Sequence, residues 1–136
     1  MAVTAAILAN LRRLVAEPST TTYSDALLTT IIEGYALMDA NGQLPTYWTA
    51  AVPPVQTANP SWVEVYDLNS AASQVWQEKA AVPAADFDLS ADGATYHRSQ
   101  VYEQCMKQAR FYAAKRRAST ITLHPYAGNR STWEVA

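Results

Sequence analysis

Apolar residues recur at helical spacing along four stretches of the chain. Positions i, i+3, i+4 and i+7 share one face of a helix, so this pattern predicts amphipathic helices. The predicted helices cover about 3–16, 24–37, 68–82 and 97–118. Their apolar stripes consist of Ile7, Leu8, Leu11, Leu14 and Val15; Leu27, Leu28, Ile31, Ile32 and Tyr35; Leu68, Ala71, Ala72, Val75, Trp76 and Ala80; and Val101, Tyr102, Cys105, Met106, Ala109, Tyr112 and Ala113. We expect a shared core of Leu11, Leu14, Ile31, Val75, Trp76, Tyr102, Met106 and Tyr112.

Polar residues in front of these stripes predict helix N-caps, because their side chains can accept the free N–H groups of a first turn. The candidates are Thr4, Thr22 or Ser24, and Asp67. Pro18 and Pro83 predict the ends of the first and third helices, since proline cannot continue a helix. Asn41-Gly42 is a turn signal that ends the second helix.

The segment 42–66 carries no regular pattern and holds four prolines, at 45, 53, 54 and 60. Proline removes ladder donors, so we expect irregular structure here. The segment also contains Tyr47, Trp48 and Trp62, which argue against disorder. Two interpretations stay open: the aromatic side chains cover the helical core, or they form a protein-contact loop, since aromatics are enriched at interfaces.

Between the third and fourth helices, the stretch 84–96 is rich in turn signals. Asp92-Gly93 lies between Phe87–Leu89 and Ala94–Tyr96, a pattern that predicts a short hairpin. The acids Asp86, Asp88 and Asp92 do not fit a calcium loop, because position 12 counted from Asp86 is His97 rather than Glu. We expect no metal site.

The last segment, 119–136, favours an extended arm. Thr120 to Leu123 alternate in polarity, and Pro125, Gly128 and Asn129 break regularity. At ~3.3 Å per residue the arm can span about 60 Å. Its apolar anchors suit docking into a groove better than a frayed terminus, which is the alternative. Candidate binding residues of the arm are Ile121, Leu123, Tyr126, Arg130 and Trp133.

Length and composition limit the protein's class. A chain of 136 residues with 49 % hydrophobic residues fits one folded domain. The single cysteine excludes a disulfide framework, and Cys105 lies in a helical stripe as expected for a buried thiol. No apolar run approaches the ~20 residues of a membrane span. No charged region precedes the apolar N-terminal stretch, so we expect no signal peptide and a soluble, intracellular protein.

Charge is distributed unevenly. Residues 1–93 carry three basic and ten acidic residues, a net charge of −7, whereas 94–136 carry seven basic and two acidic residues, a net charge of +5. Arg110, Lys115, Arg116 and Arg117 concentrate at the end of the fourth helix. This asymmetry favours head-to-tail self-association or an acidic partner, with a solvated basic helix as the alternative.

Signatures of catalysis are missing from the sequence. Its four glycines are scattered, which excludes a phosphate-binding loop, and it contains no G-x-S-x-G, H-E-x-x-H or C-x-x-C. His97 and Cys105 have no evident third group to orient them as a catalytic pair. We therefore expect a non-enzymatic protein without a cofactor.

Several stretches resemble a known family when they are taken in order. They are Leu11–Pro18 (LRRLVAEP), Tyr23–Asp25 (YSD), Tyr66–Ala72 (YDLNSAA), Val75–Ala81 (VWQEKAA), Asp86–Gly93 (DFDLSADG), and Arg98–Tyr102 (RSQVY) with Met106. Together they resemble the head-tail connector, or adaptor, proteins of long-tailed double-stranded DNA bacteriophages and their prophage relatives. The resemblance covers roughly residues 8–123 and rests on combined order and spacing.

The resemblance implies a small bundle of four main helices. We therefore expect an all-α, four-helix bundle-like adaptor domain over 1–118, followed by the extended arm over 119–136 that the composition of the tail predicts. The resemblance also implies a ring, usually dodecameric, that sits beneath the portal protein, joins it to a stopper or tail-completion protein, and surrounds the DNA channel. Such a protein is assembled in the host cytoplasm and resides in the virion neck, with no membrane contact. His97 stands where the family often has Ser. The loop 43–66 and the tail 124–136 vary among relatives, so no residue role is carried over to them.

The competing hypothesis is a small DNA-binding module that uses the basic end of the fourth helix. Its four cations suit phosphate contacts, which are weak and strongly salt-dependent. The pattern of the segment 84–96, which precedes the fourth helix, predicts a hairpin rather than a short helix. The sequence therefore does not predict a helix-turn-helix. The candidate binding residues on either hypothesis include Arg116 and Arg117.

Overall fold

The part of the chain that the structure describes is mostly α-helical. The computed structural model describes residues 3–84, 89–91, 94–96 and 98–117. Within these ranges lie four helices, α1 (Ala5–Leu14), α2 (Asp25–Glu33), α3 (Leu68–Ala84) and α4 (Arg98–Ala114), and two antiparallel strand pairs, β1 (Thr46–Trp48) with β2 (Gln56–Ala58) and β3 (Leu89–Ala91) with β4 (Ala94–Tyr96). None of the described helices combines the length and apolar character needed to span a membrane.

The first two helices begin at predicted caps. The Thr4 hydroxyl accepts the Ile7 N–H at 3.4 Å, and the Ser24 hydroxyl accepts the Leu27 N–H at 3.2 Å. The prediction for the second helix was wrong at its far end, because α2 stops at Glu33 rather than near residue 37. Beyond it the chain pairs in extended form with the segment before α3, where the Leu37 N–H donates to the Val65 carbonyl at 2.8 Å.

The hydrophobic core lies where α1, α2 and the first half of α3 meet, and Trp62 and Tyr66 close it. Of the predicted core residues, Leu11, Ile31 and Val75 are buried, and Leu14, Trp76 and Tyr112 pack against them partly buried. Tyr102 was wrongly placed in the core, since it is 39 % exposed. Helix α4 packs chiefly on α3, and within the described residues no close backbone contact joins it to α1 or α2.

The proline-rich segment was wrongly expected to be irregular throughout, since it contains β1 and β2. Their register pairs Thr46 with Ala58 and Trp48 with Gln56. The four prolines fall outside the two strands, two flanking the pair and two in the loop 49–55. No ladder hydrogen bond is therefore lost to proline.

A second antiparallel strand pair, also of three-residue strands, precedes α4. Leu89 pairs with Tyr96, and Ala91 pairs with Ala94. The predicted hairpin is thus present, although its first strand covers 89–91 rather than 87–89. Helix α3 includes Pro83 and ends at Ala84, two residues later than predicted.

Candidate functional site

The predicted fourth helix was too long at its end, because α4 stops at Ala114 rather than near residue 118. The basic end of α4, which here means Arg110 and the three residues 115–117 directly after the helix, is exposed. Arg110, Lys115, Arg116 and Arg117 all lie at the surface, and Lys115 sits over the Phe111 ring with its Nζ 4.0 Å from the ring centroid. No carboxylate within the described residues pairs with any of the four. The cations of the N-terminal part differ, since Arg12 pairs with Asp25 and Lys79 pairs with Glu17.

The Asp67 side chain holds this basic end in place. Asp67 is buried and caps α3, with its Oδ1 accepting the N–H groups of Asn69 and Ser70 at 3.1 and 3.2 Å. Its Oδ2 accepts the Arg117 backbone N–H at 2.8 Å. Asn69 adds a second link, donating its side-chain amide to the Lys115 carbonyl at 3.2 Å. The start of α3 thereby fixes where the chain leaves α4.

A polar cleft of about 310 Å³ lies beside this junction. Its lining consists of Tyr35, Ser70, Ser73, Gln74, Gln77, Ala113 and Arg116. The Tyr35 hydroxyl donates to Gln74 Oε1 at 2.9 Å, and the Ser73 hydroxyl donates to the Ala109 carbonyl at 2.9 Å. Arg116 is the one cation among these lining residues. The cleft therefore presents hydrogen-bonding groups and a single positive charge to a neighbouring molecule.

A second candidate surface is the β1–β2 hairpin, which exposes large apolar side chains. Trp48 is 67 % exposed and Val52 is 97 % exposed, and Tyr47 and Val55 are about half exposed. The whole stretch 40–63 contains no Asp, Glu, Lys or Arg. Exposed aromatic side chains without charge are typical of the centre of a protein interface.

The root of the hairpin is organised by the buried carboxylate of Asp39. Its Oδ1 accepts the N–H groups of Asn41 and Gln43, both at 2.8 Å, and its Oδ2 accepts the Val63 N–H at 3.0 Å. These backbone hydrogen bonds, Val63 foremost, hold the pKa of Asp39 below its ordinary value against the opposing effect of burial. Sequence reasoning missed this residue, because no pattern marked Asp39 as more than a loop acid.

The three aromatic residues predicted as an interface loop separate into two groups. Trp62 belongs to the core, where its indole Nε1 donates to the Leu37 carbonyl at 2.8 Å and its ring meets Tyr66 edge-on. Tyr47 and Trp48 lie on β1 and are exposed. The interpretation as a cover for the helical core is therefore confirmed for Trp62, whereas for Tyr47 and Trp48 the contact loop stays a prediction.

A wider groove of about 800 Å³ runs along α4 where it faces α3. Trp76, Gln100, Val101, Glu103, Gln104, Cys105 and Gln108 line it. The Cys105 side chain is only 9 % exposed, in keeping with the predicted buried thiol. Glu103 is the one charged residue among those lining the groove, and three glutamines supply amide groups.

The remaining predicted binding residues, Ile121, Leu123, Tyr126, Arg130 and Trp133, lie outside the described residues, as does His97. Within the described ranges, no cluster of three or more His, Cys, Asp or Glu side chains has the arrangement of a metal site. The described ranges expose two separate surfaces suited to macromolecular contact, which are the basic end of α4 and the uncharged hairpin. No protein-family model, curated protein or solved structure shows a significant match to the chain.

Proposed function

We propose that this protein is a structural head-tail adaptor of a long-tailed bacteriophage or prophage. In this proposal its helices form a four-helix bundle-like adaptor domain, 119–136 form an extended arm, and copies of the chain make a ring under the portal protein. The ring joins the portal to a stopper or tail-completion protein around the DNA channel. The sequence resemblance motivates the proposal, and the exposed surfaces of the small domain support it.

The observation that carries the proposal is the uncharged, exposed hairpin. A domain of this size rarely leaves Trp48 and Val52 open to water without a partner, because exposed apolar clusters mark interaction sites. The hairpin lies on a different element from the basic end of α4. A subunit with two unlike contact surfaces suits heterologous assembly, in which one face of a copy meets another face of its neighbour and the contacts close into a ring.

The basic end of α4 is assigned to an acidic surface on the portal or on a neighbouring subunit. Arg116 and Arg117 follow the last residue of α4 closely in the sequence, and the Asp67 carboxylate fixes the Arg117 backbone. Charged groups held on a fixed backbone steer association and set orientation more than they add raw affinity. The arm that continues from Arg117 is proposed to follow them onto the portal.

The test is incorporation into portal-containing heads, measured by co-sedimentation and quantified by protein mass. Arg116→Glu with Arg117→Glu should lower occupancy several-fold while circular dichroism of the isolated protein stays unchanged. Lys107→Glu, an exposed position in mid-helix, is the matched control and should leave occupancy near normal. Normal occupancy of the double variant would remove this contact from the proposal.

DNA binding through the same cations is the second candidate, favoured by their exposure and lack of ion pairs among the described residues. Binding through phosphates would weaken steeply with added salt, whatever the DNA sequence. Fluorescence anisotropy with a random duplex at two salt concentrations measures this directly. If the double variant lost DNA binding yet joined heads normally, the DNA-binding role would replace the portal contact.

A further inference from the structure

The loop of the β1–β2 hairpin exposes hydrogen-bond acceptors as well as apolar surface. Two of its residues, Pro53 and Pro54, have no N–H group, so the loop carries more carbonyl acceptors than amide donors. Only its two ends are tied together, where the Thr49 N–H donates to the Val55 carbonyl at 2.9 Å and the Val55 N–H donates to the Thr49 hydroxyl at 3.2 Å. A matching partner would offer an apolar wall and amide donors, with little charge.

The groove between α3 and α4 has these properties. Trp76 and Val101 supply apolar surface, and Val101 is 52 % exposed. The side chains of Gln100, Gln104 and Gln108 recur at helical spacing along the groove, and their amide groups can donate to carbonyls. Its volume of about 800 Å³ lies within the ~300–1,000 Å³ of pockets that enclose whole ligands, enough for the tip of a hairpin.

Hairpin and groove lie at different levels of the same subunit. The contacts of Asn69 with Lys115 and of Ser73 with Ala109 show that α3 and α4 run antiparallel. By this register Cys105 lies level with about residue 77 of α3, roughly 15 Å along the axis from Asp67 at 1.5 Å per residue. The hairpin root instead lies at the start of α3, where the Leu37 N–H meets the Val65 carbonyl.

In the folded chain both surfaces are open at once, since Val52 and Val101 are exposed together. The hairpin therefore does not fill the groove of its own subunit. A contact between unlike surfaces on two copies leaves one free hairpin and one free groove at the ends of every assembly, until the ends meet. The geometry of one subunit thus suits a closed ring.

We infer that the tip of the β1–β2 hairpin of one copy docks in the α3–α4 groove of the next copy. In this contact Trp48 and Val52 pack against Trp76 and Val101, and the three glutamines donate to loop carbonyls. A second copy is the favoured occupant because the hairpin and the groove share a near absence of charge, apart from Glu103. The inference rests on the proposed ring and identifies the surfaces that hold its subunits together.

A charge placed at Val52 tests the contact through Glu103. Since Val52 is 97 % exposed, Val52→Asp should leave the unfolding midpoint unchanged. In the complex the new carboxylate would approach the Glu103 side chain, and like charges at an interface are unfavourable. Sedimentation equilibrium should then show self-association weakened at least about tenfold, and adding Glu103→Lys should restore it. Thr20→Asp, in the exposed α1–α2 linker, is the control and should associate like the unmodified chain.

A photo-crosslinking residue in place of Trp48 identifies the surface that it contacts. In a mixture of isotopically heavy and light chains, mixed cross-links to 100–108 are expected. Any of three results would overturn the inference. The unmodified chain could stay monomeric up to ~1 mM, Val52→Asp could associate normally, or adding Glu103→Lys to Val52→Asp could fail to restore association. If deleting 118–136 abolished self-association while Val52→Asp associated normally, the C-terminal segment rather than the hairpin would be the occupant of the groove. A chain that self-associates as inferred but fails to join heads would refute the proposed function and leave this contact standing.

Discussion

Asp67 and Arg117 are fifty positions apart in the chain and are joined by a hydrogen bond of 2.8 Å, from the Arg117 backbone N–H to the Asp67 carboxylate. The same carboxylate caps α3. One buried side chain therefore begins α3 and fixes the backbone at Arg117, three residues beyond the end of α4. This arrangement holds the basic end of α4 against the domain.

Replacing Asp67 by Ala should remove both functions at once. Loss of a helix cap costs about 0.5–2 kcal/mol, and we expect the upper end of this range because Asp67 is buried and also holds Arg117. Chemical denaturation measures the change. Ser24→Ala, which removes the α2 cap alone, is the control. Only Asp67→Ala should speed tryptic cleavage at Arg116 and Arg117; equal cleavage in the two variants would show that the tether is unimportant.

The two tryptophans of the proline-rich segment should respond oppositely to truncation. Trp62→Ala should cost about 3–5 kcal/mol, because it empties a core position and leaves the Leu37 carbonyl unpaired. Trp48→Ala should change the unfolding free energy by less than about 0.5 kcal/mol, since its side chain is largely exposed. Thermal and denaturant unfolding of both variants make the comparison. A large loss at Trp48 would mean that the hairpin packs on its own subunit.

Acid should loosen the hairpin root through Asp39. Since the pKa of Asp39 is lowered in the folded protein, the carboxylate's contribution to stability is complete above its ordinary pKa of 3.8 and is lost as the pH falls through the lowered value. Asp39→Asn cannot accept at both oxygens, so it should be less stable near neutral pH. The difference in unfolding free energy from the unmodified chain should narrow below about pH 4. If the difference in unfolding free energy did not change with pH, the lowered pKa of Asp39 in the folded protein would be contradicted.

The buried hydroxyl of Tyr66 finds no hydrogen-bond partner among the described residues. Tyr66→Phe removes this unsatisfied group and keeps the ring that packs on Trp62, so stability should stay equal or rise by up to about 1 kcal/mol. Tyr35→Phe is the matched comparison. It breaks the hydrogen bond to Gln74 and should cost about 1 kcal/mol. A substantial loss on Tyr66→Phe would reveal a partner for its hydroxyl.

Local sequence signals predicted the helices well, because caps act over a single turn. Thr4, Ser24 and Asp67 each begin a helix as their side-chain chemistry requires. The end of α2 was missed because it depends on a distant partner, the extended pairing of Leu37 with Val65. Tyr102 has the spacing of a core residue, but spacing alone does not show how many neighbours a helix has.

The candidate site was predictable only in part. Clustered charge in the sequence was enough to mark Arg116 and Arg117. The hairpin was hidden because its prolines weaken any strand signal, although they fall outside the paired residues. The groove was not predictable from spacing, since Trp76 and Val101 come together only when α3 and α4 pack antiparallel.

The most direct test of the adaptor proposal is a single-particle electron microscopy reconstruction of this protein mixed with a portal protein from the same source genome. We expect a closed ring of copies on the portal, with α4 and its basic end facing the portal and each hairpin in contact with a neighbouring subunit. A portal that binds no copy of the protein, or binds isolated copies that never touch one another, would contradict it.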